Sequence, residues 1–233
     1  MTRTTFRPPV LTTIAASIAA LAACASLPAA QMALPAELNA STPEQVQGIG
    51  MGRQGTFTVG RERGTFSRGK DRLEIFEIVA FDKASTRYSL ALADGRTVQA
   101  ACRGRQTTAS VGVLTGQPRP FSFECAWTGA LEAHLRIEAS PWIPGTRAER
   151  SGRFVLGNVA LDVKSVHNVQ GSPLPLEAPI GYTLSHEGIP DGAHELNGTT
   201  PRLWRPAGPP LAEPVTLAAL SLALLWDPAA SGH

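Results

Sequence analysis

The sequence predicts a mainly β fold: an antiparallel barrel or strongly curled sheet of about ten to twelve strands enclosing a hydrophobic C-terminal helix. Three observations predict it. From Gly55 onward apolar and polar residues alternate with period two in many short segments, separated by Gly, Pro, Asp and Asn. Strand–helix–strand alternation is lacking, which argues against a parallel sheet. The chain then closes on "EPVTLAALSLALLWDP", where Leu217, Leu220, Leu222, Leu224, Leu225 and Trp226 fall all round a 3.6-residue period. A helix with no polar face must be surrounded, and one this short cannot cross a bilayer, which takes roughly 20 apolar residues.

The elements follow in order. The chain opens with Arg3 and Arg7, without an acid, and runs into "VLTTIAASIAALAAC". A positive start, a short apolar core and small residues before a cut site describe a secretory signal peptide over residues 1–23. Leu21-Ala22-Ala23-Cys24 resembles the bacterial lipobox. The resemblance implies that Cys24 receives a diacylglycerol on its thiol and becomes the first residue of the mature chain. Alanine rather than aspartate at position 25 implies sorting to the outer membrane, facing the periplasm. Ala23-Cys24-Ala25 also reads as an ordinary A-x-A cleavage site, and an uncleaved anchor is a third reading.

Residues 24–52 show no sustained period and are rich in Ala, Pro and Gln. They read as a lipidated cysteine followed by a flexible tether, which as a coil spans about 29 Å on average. Residues 53–229 then form a single β-rich domain. "GTFTVGRERGTFSRG" reads as a hairpin around Arg61-Glu62-Arg63, and "RLEIFEIVAF" as a strand with apolar groups on both faces. "RYSLALADGRTVQAAC" reads as two strands joined at Asp94-Gly95, a strong turn signal. In "FSFECAW", Phe121, Phe123, Cys125 and Trp127 share a face. In "LEAHLRIEA", Leu131, Ala133, Leu135 and Ile137 face one way and Glu132, His134, Arg136 and Glu138 the other. "RFVLGNVALDVKSV", "PIGYTLSH" and "GAHELNG" continue the series. The helix is placed at 214–226, with Pro214 at its first position and Pro228 ending it.

This order of elements resembles the tubby-like fold shared with the phospholipid scramblases, in which a barrel of about twelve strands is threaded by a hydrophobic C-terminal helix. The resemblance rests on the helix and on "PIGYTLSHEGIPDGAHELNG" before it, and spans residues 53–228. Relatives bind membrane phosphoinositides or act at lipid surfaces. The resemblance places no binding residue on this chain.

Composition fits an exported globular domain. Charged residues make up 17% and hydrophobic residues 43% of the chain, and the formal net charge is +2, too small to argue for nucleic acid as a partner. After Cys24, only Cys102 and Cys125 remain. In an oxidising periplasm they form a disulfide closing a loop of about 24 residues; the alternative is two buried free thiols. Neither G-x-S-x-G, H-E-x-x-H, a phosphate-binding P-loop nor G-x-G-x-x-G occurs, so no cofactor is expected.

Two polar clusters stand out. In "HEGIPDGAHE", a turn centred near Pro190 sets His186 opposite His194, close enough to share a divalent metal, with Glu187, Asp191 and Glu195 nearby. A solvated hairpin tip has the same composition. The second cluster is basic: Arg53, Arg61, Arg63, Arg68, Lys70 and Arg72, next to the tether and so facing anionic lipid. Charge on an edge hairpin to block sheet-to-sheet pairing explains it equally. Tyr182, Trp142 and Trp204 are either interfacial aromatics or core. These readings predict an envelope lipoprotein that binds or scaffolds without catalysis, its partners being the membrane and an anionic lipid or envelope protein. A hydrolase or metal-dependent enzyme at the 186–195 hairpin is the alternative.

Overall fold

The computed structural model describes residues 30–76, 78–111, 114–141, 147–198 and 200–227. Cys24 and Trp142 lie outside these residues. The strands are β1 (Glu44–Gln45), β2 (Gln54–Val59), β3 (Glu62–Ile75), β4 (Val79–Ala91), β5 (Thr97–Val111), β6 (Leu114–Gly129), β7 (Ala133–Ala139), β8 (Arg150–Leu156), β9 (Val159–Val166), β10 (Gly181–His186), β11 (Ile189–Glu195) and β12 (Arg202–Trp204), followed by the helix α1 (Ala212–Leu224). From β2 to β12 every strand pairs antiparallel with the next, and β1 returns to pair with β12. Just past β1, Gln47 exchanges two backbone hydrogen bonds with Thr58 of β2, at 2.9 and 3.0 Å. The 44–47 segment thus nearly closes the sheet into a barrel.

The inward face of each strand carries the alternating apolar residues: Phe57, Phe66, Tyr88, Val98, Phe123, Trp127, Leu135, Phe154, Leu161 and Leu184 all belong to one buried core with the helix. Helix residues 214–224 are buried without interruption. Every side of α1 meets wall. Tyr88 and Thr86 of β4 bond its carbonyls, and it packs on β8, β9 and β11. Gly192 of β11 lets the backbone approach Val215; a Cβ there would lie 2.5 Å from Val215 Cγ1. Cys102 and Cys125 face each other across β5 and β6 as a disulfide inside this core.

Several expectations change. The helix begins at Ala212, so Pro214 sits inside its first turn, where a missing N–H still costs no helical bond. "RLEIFEIVAF" is the end of β3, a turn and the start of β4. Its apolar residues Leu73, Ile75, Val79 and Phe81 therefore share one face, the outer, instead of lying on both. Residues 30–52 do not extend as a tether. They lie along the wall as a strap, with Met32 and Leu38 buried on Trp204, Ala193 and Ile180 in a second small core. The strap shows no regular period because its apolar residues are spaced by Pro and turns.

Antiparallel alternation gives the barrel two ends. At the upper end lie the start of α1 and the turns at 60–61, 92–96, 130–132, 157–158 and 187–188. At the lower end lie the finish of α1, the β3–β4 turn, the 48–53 and 167–180 segments, and residues 30–33, where Ala33 N donates to Asn168 O and Gln170 N to Gln31 O.

Candidate functional site

The basic run does not form one patch. Period-two alternation sends Arg63 outward and Arg68 toward the lower mouth, and strand β3 carries the run from one end of the barrel to the other. Arg61 and Arg72 lie about 36 Å apart along the strand. Arg61 and Arg63 sit at the upper end, remote from residues 30–33, whereas Arg53, Lys70 and Arg72 sit toward the lower end. Arg68 is committed: its guanidinium donates to the carbonyls of Gly50 and Gly52 and lies between Phe66 and Trp226, 5.2 and 5.3 Å from their ring centres. Arg72 pairs with Glu74 and Asp82.

The two histidines are not cross-strand partners either. The β10–β11 turn is Glu187-Gly188, with φ of 52° and 83°, the left-handed pair of a type I′ turn. His186 therefore opposes Ile189, and a bulge at Asp191 shifts the register so that His194 opposes Tyr182. His186 Nδ1 bonds Ala160 O, and its backbone N–H donates to Asp191. His194 faces the core, fully buried, with no well-formed hydrogen bond to either ring nitrogen. Burial lowers its pKa to about 4, the Arg202 backbone opposing weakly, so the ring is neutral. Among the described residues no three His, Cys, Asp or Glu side chains gather as metal ligands. Tyr182 and Trp204 are core residues.

The barrel ends are closed by ion clusters that spacing alone does not reveal. At the upper end Arg205 donates to Glu44 at 2.8 and 2.9 Å, to Glu62 at 2.9 and 3.1 Å, and to Thr216 at 2.6 Å, joining β1, β3 and α1 across the seam. At the lower end Arg150, 5% exposed, holds Asp227 in a bidentate pair, donates to Tyr182 and lies 3.9 Å over the Phe121 ring. Burial opposes the Arg150 charge, but Tyr182 and Asp227 outweigh it and raise its pKa. Near this cluster Ser165 and His167 form a bonded pair at 3.0 Å. His167 Nδ1 must carry a proton to donate to Leu176 O, so Nε2 accepts from Ser165. Ser165 also accepts the Arg150 amide, so the trio fastens the 167–180 loop to β8 and β9.

The open feature is on the outer wall. Register places Ser67, Arg87, Ala101, Ala126 and His134 in one transverse row, and Ser85, Arg103, Glu124 and Arg136 in the next. Ala101 and Ala126 form the floor where a shallow trough of about 870 Å³ meets one of about 480 Å³. Arg87 and Arg103 stand on its walls, and among the described residues neither guanidinium has an ion pair or hydrogen bond. Two exposed guanidinium groups beside a small-residue floor can hold an anionic group in bidentate fashion. No family model, no curated protein and no solved structure matches this chain. The sequence signal for this trough is the alternation of Arg103 and Arg105 either side of Gly104; Arg87 joins them only through the pairing of β4 with β5, which sets it opposite Ala101.

Proposed function

We propose that this chain is an envelope lipoprotein, anchored at the outer membrane through diacylated Cys24 and facing the periplasm, whose barrel binds a phosphate-bearing envelope lipid without catalysing a reaction. The observation that carries the reading is the outer trough, where unpartnered Arg87 and Arg103 flank Ala101 and Ala126. Three further features support it. The inside of the barrel is taken up by α1, so the open recesses lie on the wall and at the mouths. The Cys102–Cys125 disulfide suits an oxidising compartment. Ala30, six residues after Cys24, accepts a hydrogen bond from Asn197, which holds the barrel within about 20 Å of an acylated cysteine.

Two measurements test the two halves. A palmitate analogue fed to cells should label the wild type and leave Cys24→Ser unlabelled; equal labelling of both removes the anchor. Phosphatidylglycerol vesicles and lipopolysaccharide, tested in parallel, should retain the protein at low salt and release it as salt screens contacts beyond about 8 Å. In protein without the acyl group, Arg87→Ser with Arg103→Ser should weaken retention by the probe that is the ligand. Unchanged retention of both probes removes the trough.

A further inference from the structure

We infer that the lower end of the barrel is a bilayer-docking face, and that the β3–β4 hairpin tip inserts its apolar side chains among the lipids; the inference rests on the anchor at Cys24 proposed above. Among the described residues nine large hydrophobic side chains are exposed, and seven of them lie at this one end: Met51, Leu73, Ile75, Phe76, Ile78, Leu174 and Leu176. Met51 is 95% and Phe76 88% exposed. A soluble surface scatters such residues singly; gathering them at one end marks a contact surface.

The geometry favours a bilayer over other occupants. Strands β3 to β6 run 13 to 16 residues, against six to eight in β7 to β11, and their extra length lies at the lower end. They project a four-stranded arm beyond the wall, with Phe76 at the β3–β4 turn. On the outer face of the arm Ile75 pairs with Val79, and Leu73 with Phe81. The next row up is Asp71, Lys83 and Arg105. Two residues of strand separate those rows by about 7 Å. With Leu73 at the acyl boundary, the Lys83 and Arg105 charges stand level with lipid phosphates, and among the described residues neither has an ion-pair partner. The upper end differs: among the described residues it exposes only Val155 and Ile189 of the large hydrophobics, and its acids Glu44, Glu62, Asp94 and Glu213 are paired with Arg205 and Arg96. Residues 30–33 lie at the apolar end, so an acylated Cys24 draws that end to the membrane and not the opposite one.

A thiol introduced by Phe76→Cys is the one free cysteine of the mature protein once Cys24 is acylated and Cys102 bridged to Cys125. It is labelled with an environment-sensitive nitrobenzoxadiazole, and the full acylated protein is placed in liposomes of phosphatidylethanolamine and phosphatidylglycerol. The emission should shift to the blue and be quenched by lipids bearing a nitroxide on the acyl chain. The same label at Asn158→Cys, an exposed turn of the upper end, should show neither effect. Lys83→Glu with Arg105→Glu should weaken quenching at position 76 in these liposomes and leave it unchanged in phosphatidylcholine. A label at 76 that stays water-like on liposome-bound protein overturns the inference. So does cross-linking from 76 to another protein in intact envelopes without nitroxide quenching, which would assign the tip to a protein partner. The mass of the same sample reports acylation separately. If Cys24 is bare, the anchor falls by itself, and the label on protein added to liposomes at low salt still decides the tip: no shift there overturns it.

Discussion

The Tyr88 hydroxyl lies 3.0 Å from the Ser221 hydroxyl and accepts the Trp127 indole N–H at 2.8 Å, so one phenol joins β4, β6 and the enclosed helix. The Ser221 hydroxyl in turn donates to Leu217 O. Every polar atom in this buried group has a partner, and burial pushes the Tyr88 phenol far above its usual range, so it stays protonated. Tyr88→Phe removes the acceptor for the Trp127 N–H. Leaving that donor buried and unpaired costs about 1–3 kcal/mol. Ser221→Ala should cost less, because Tyr88 keeps Leu217 O as an alternative partner at 3.3 Å. Urea unfolding of both variants checks the order; a Tyr88→Phe midpoint equal to the wild type would contradict the bonded network.

The helix should have no tolerant face. Leu217, Leu220, Leu222 and Leu224 point in different directions, yet each is at most 1% exposed. Truncating a buried leucine costs about 2–5 kcal/mol from lost transfer energy and the cavity left. All four Leu→Ala variants should therefore lower the unfolding midpoint substantially. Two neighbouring positions at which alanine is harmless would place the helix on the surface.

Acid should weaken the fold through His194. Its folded pKa of about 4 lies below the ordinary value of 6.5, so the unfolded chain binds the proton first. The stability this gives is fully present above about pH 6.5 and is lost as pH falls toward 4. Between pH 7.5 and 4.5 the loss should reach about 2–3 kcal/mol. Burial also lowers the His167 pKa, in the same direction. His194→Gln, neutral throughout, should remove the His194 part of the slope, measured by urea unfolding across that range. A slope unchanged by the substitution would show that the ring is not buried neutral.

The disulfide joins residues 23 apart in sequence and lies within the core. In the chain-entropy account, closing such a loop contributes about 3 kcal/mol. Mass spectrometry of non-reduced digests should recover the peptides of Cys102 and Cys125 linked. Cys102→Ala with Cys125→Ala should fold but unfold at lower urea. Because both sulfurs are buried, reduction under native conditions should be slow and should quicken in sub-denaturing urea. Two free thiols in protein taken from the envelope would remove the bridge.

The trough and the docking face were only partly written in local patterns. The alternation of Arg103 with Arg105 was visible, but that Arg87 stands beside Ala101 depends on the pairing of β4 with β5. "RLEIFEIVAF" showed its apolar residues plainly. What it did not show was a turn at Phe76, because a residue with a left-handed φ of 52° is uncommon unless it is Gly, Asn or Asp, so no turn signal marks it. The basic run looked like a patch because six cations fall within twenty residues. One extended strand spreads them over two faces and two ends.

The sequence by itself determined the class of fold and the enclosure of the helix. Period-two alternation obliges one face of every strand to be covered, and a helix apolar all round obliges its surroundings to be protein. Both are statements about local hydrophobic pattern, and they hold whatever the strand order. Tertiary structure alone decided the rest: that residues 30–47 strap the wall and close the seam, that a two-residue turn and a bulge separate His186 from His194, and that Arg205 and Arg150 seal the ends through partners as far as 161 residues away. Those outcomes depend on register and on which strands become neighbours. A shift of one residue in pairing exchanges the inner and outer faces, and no spacing along the chain encodes it.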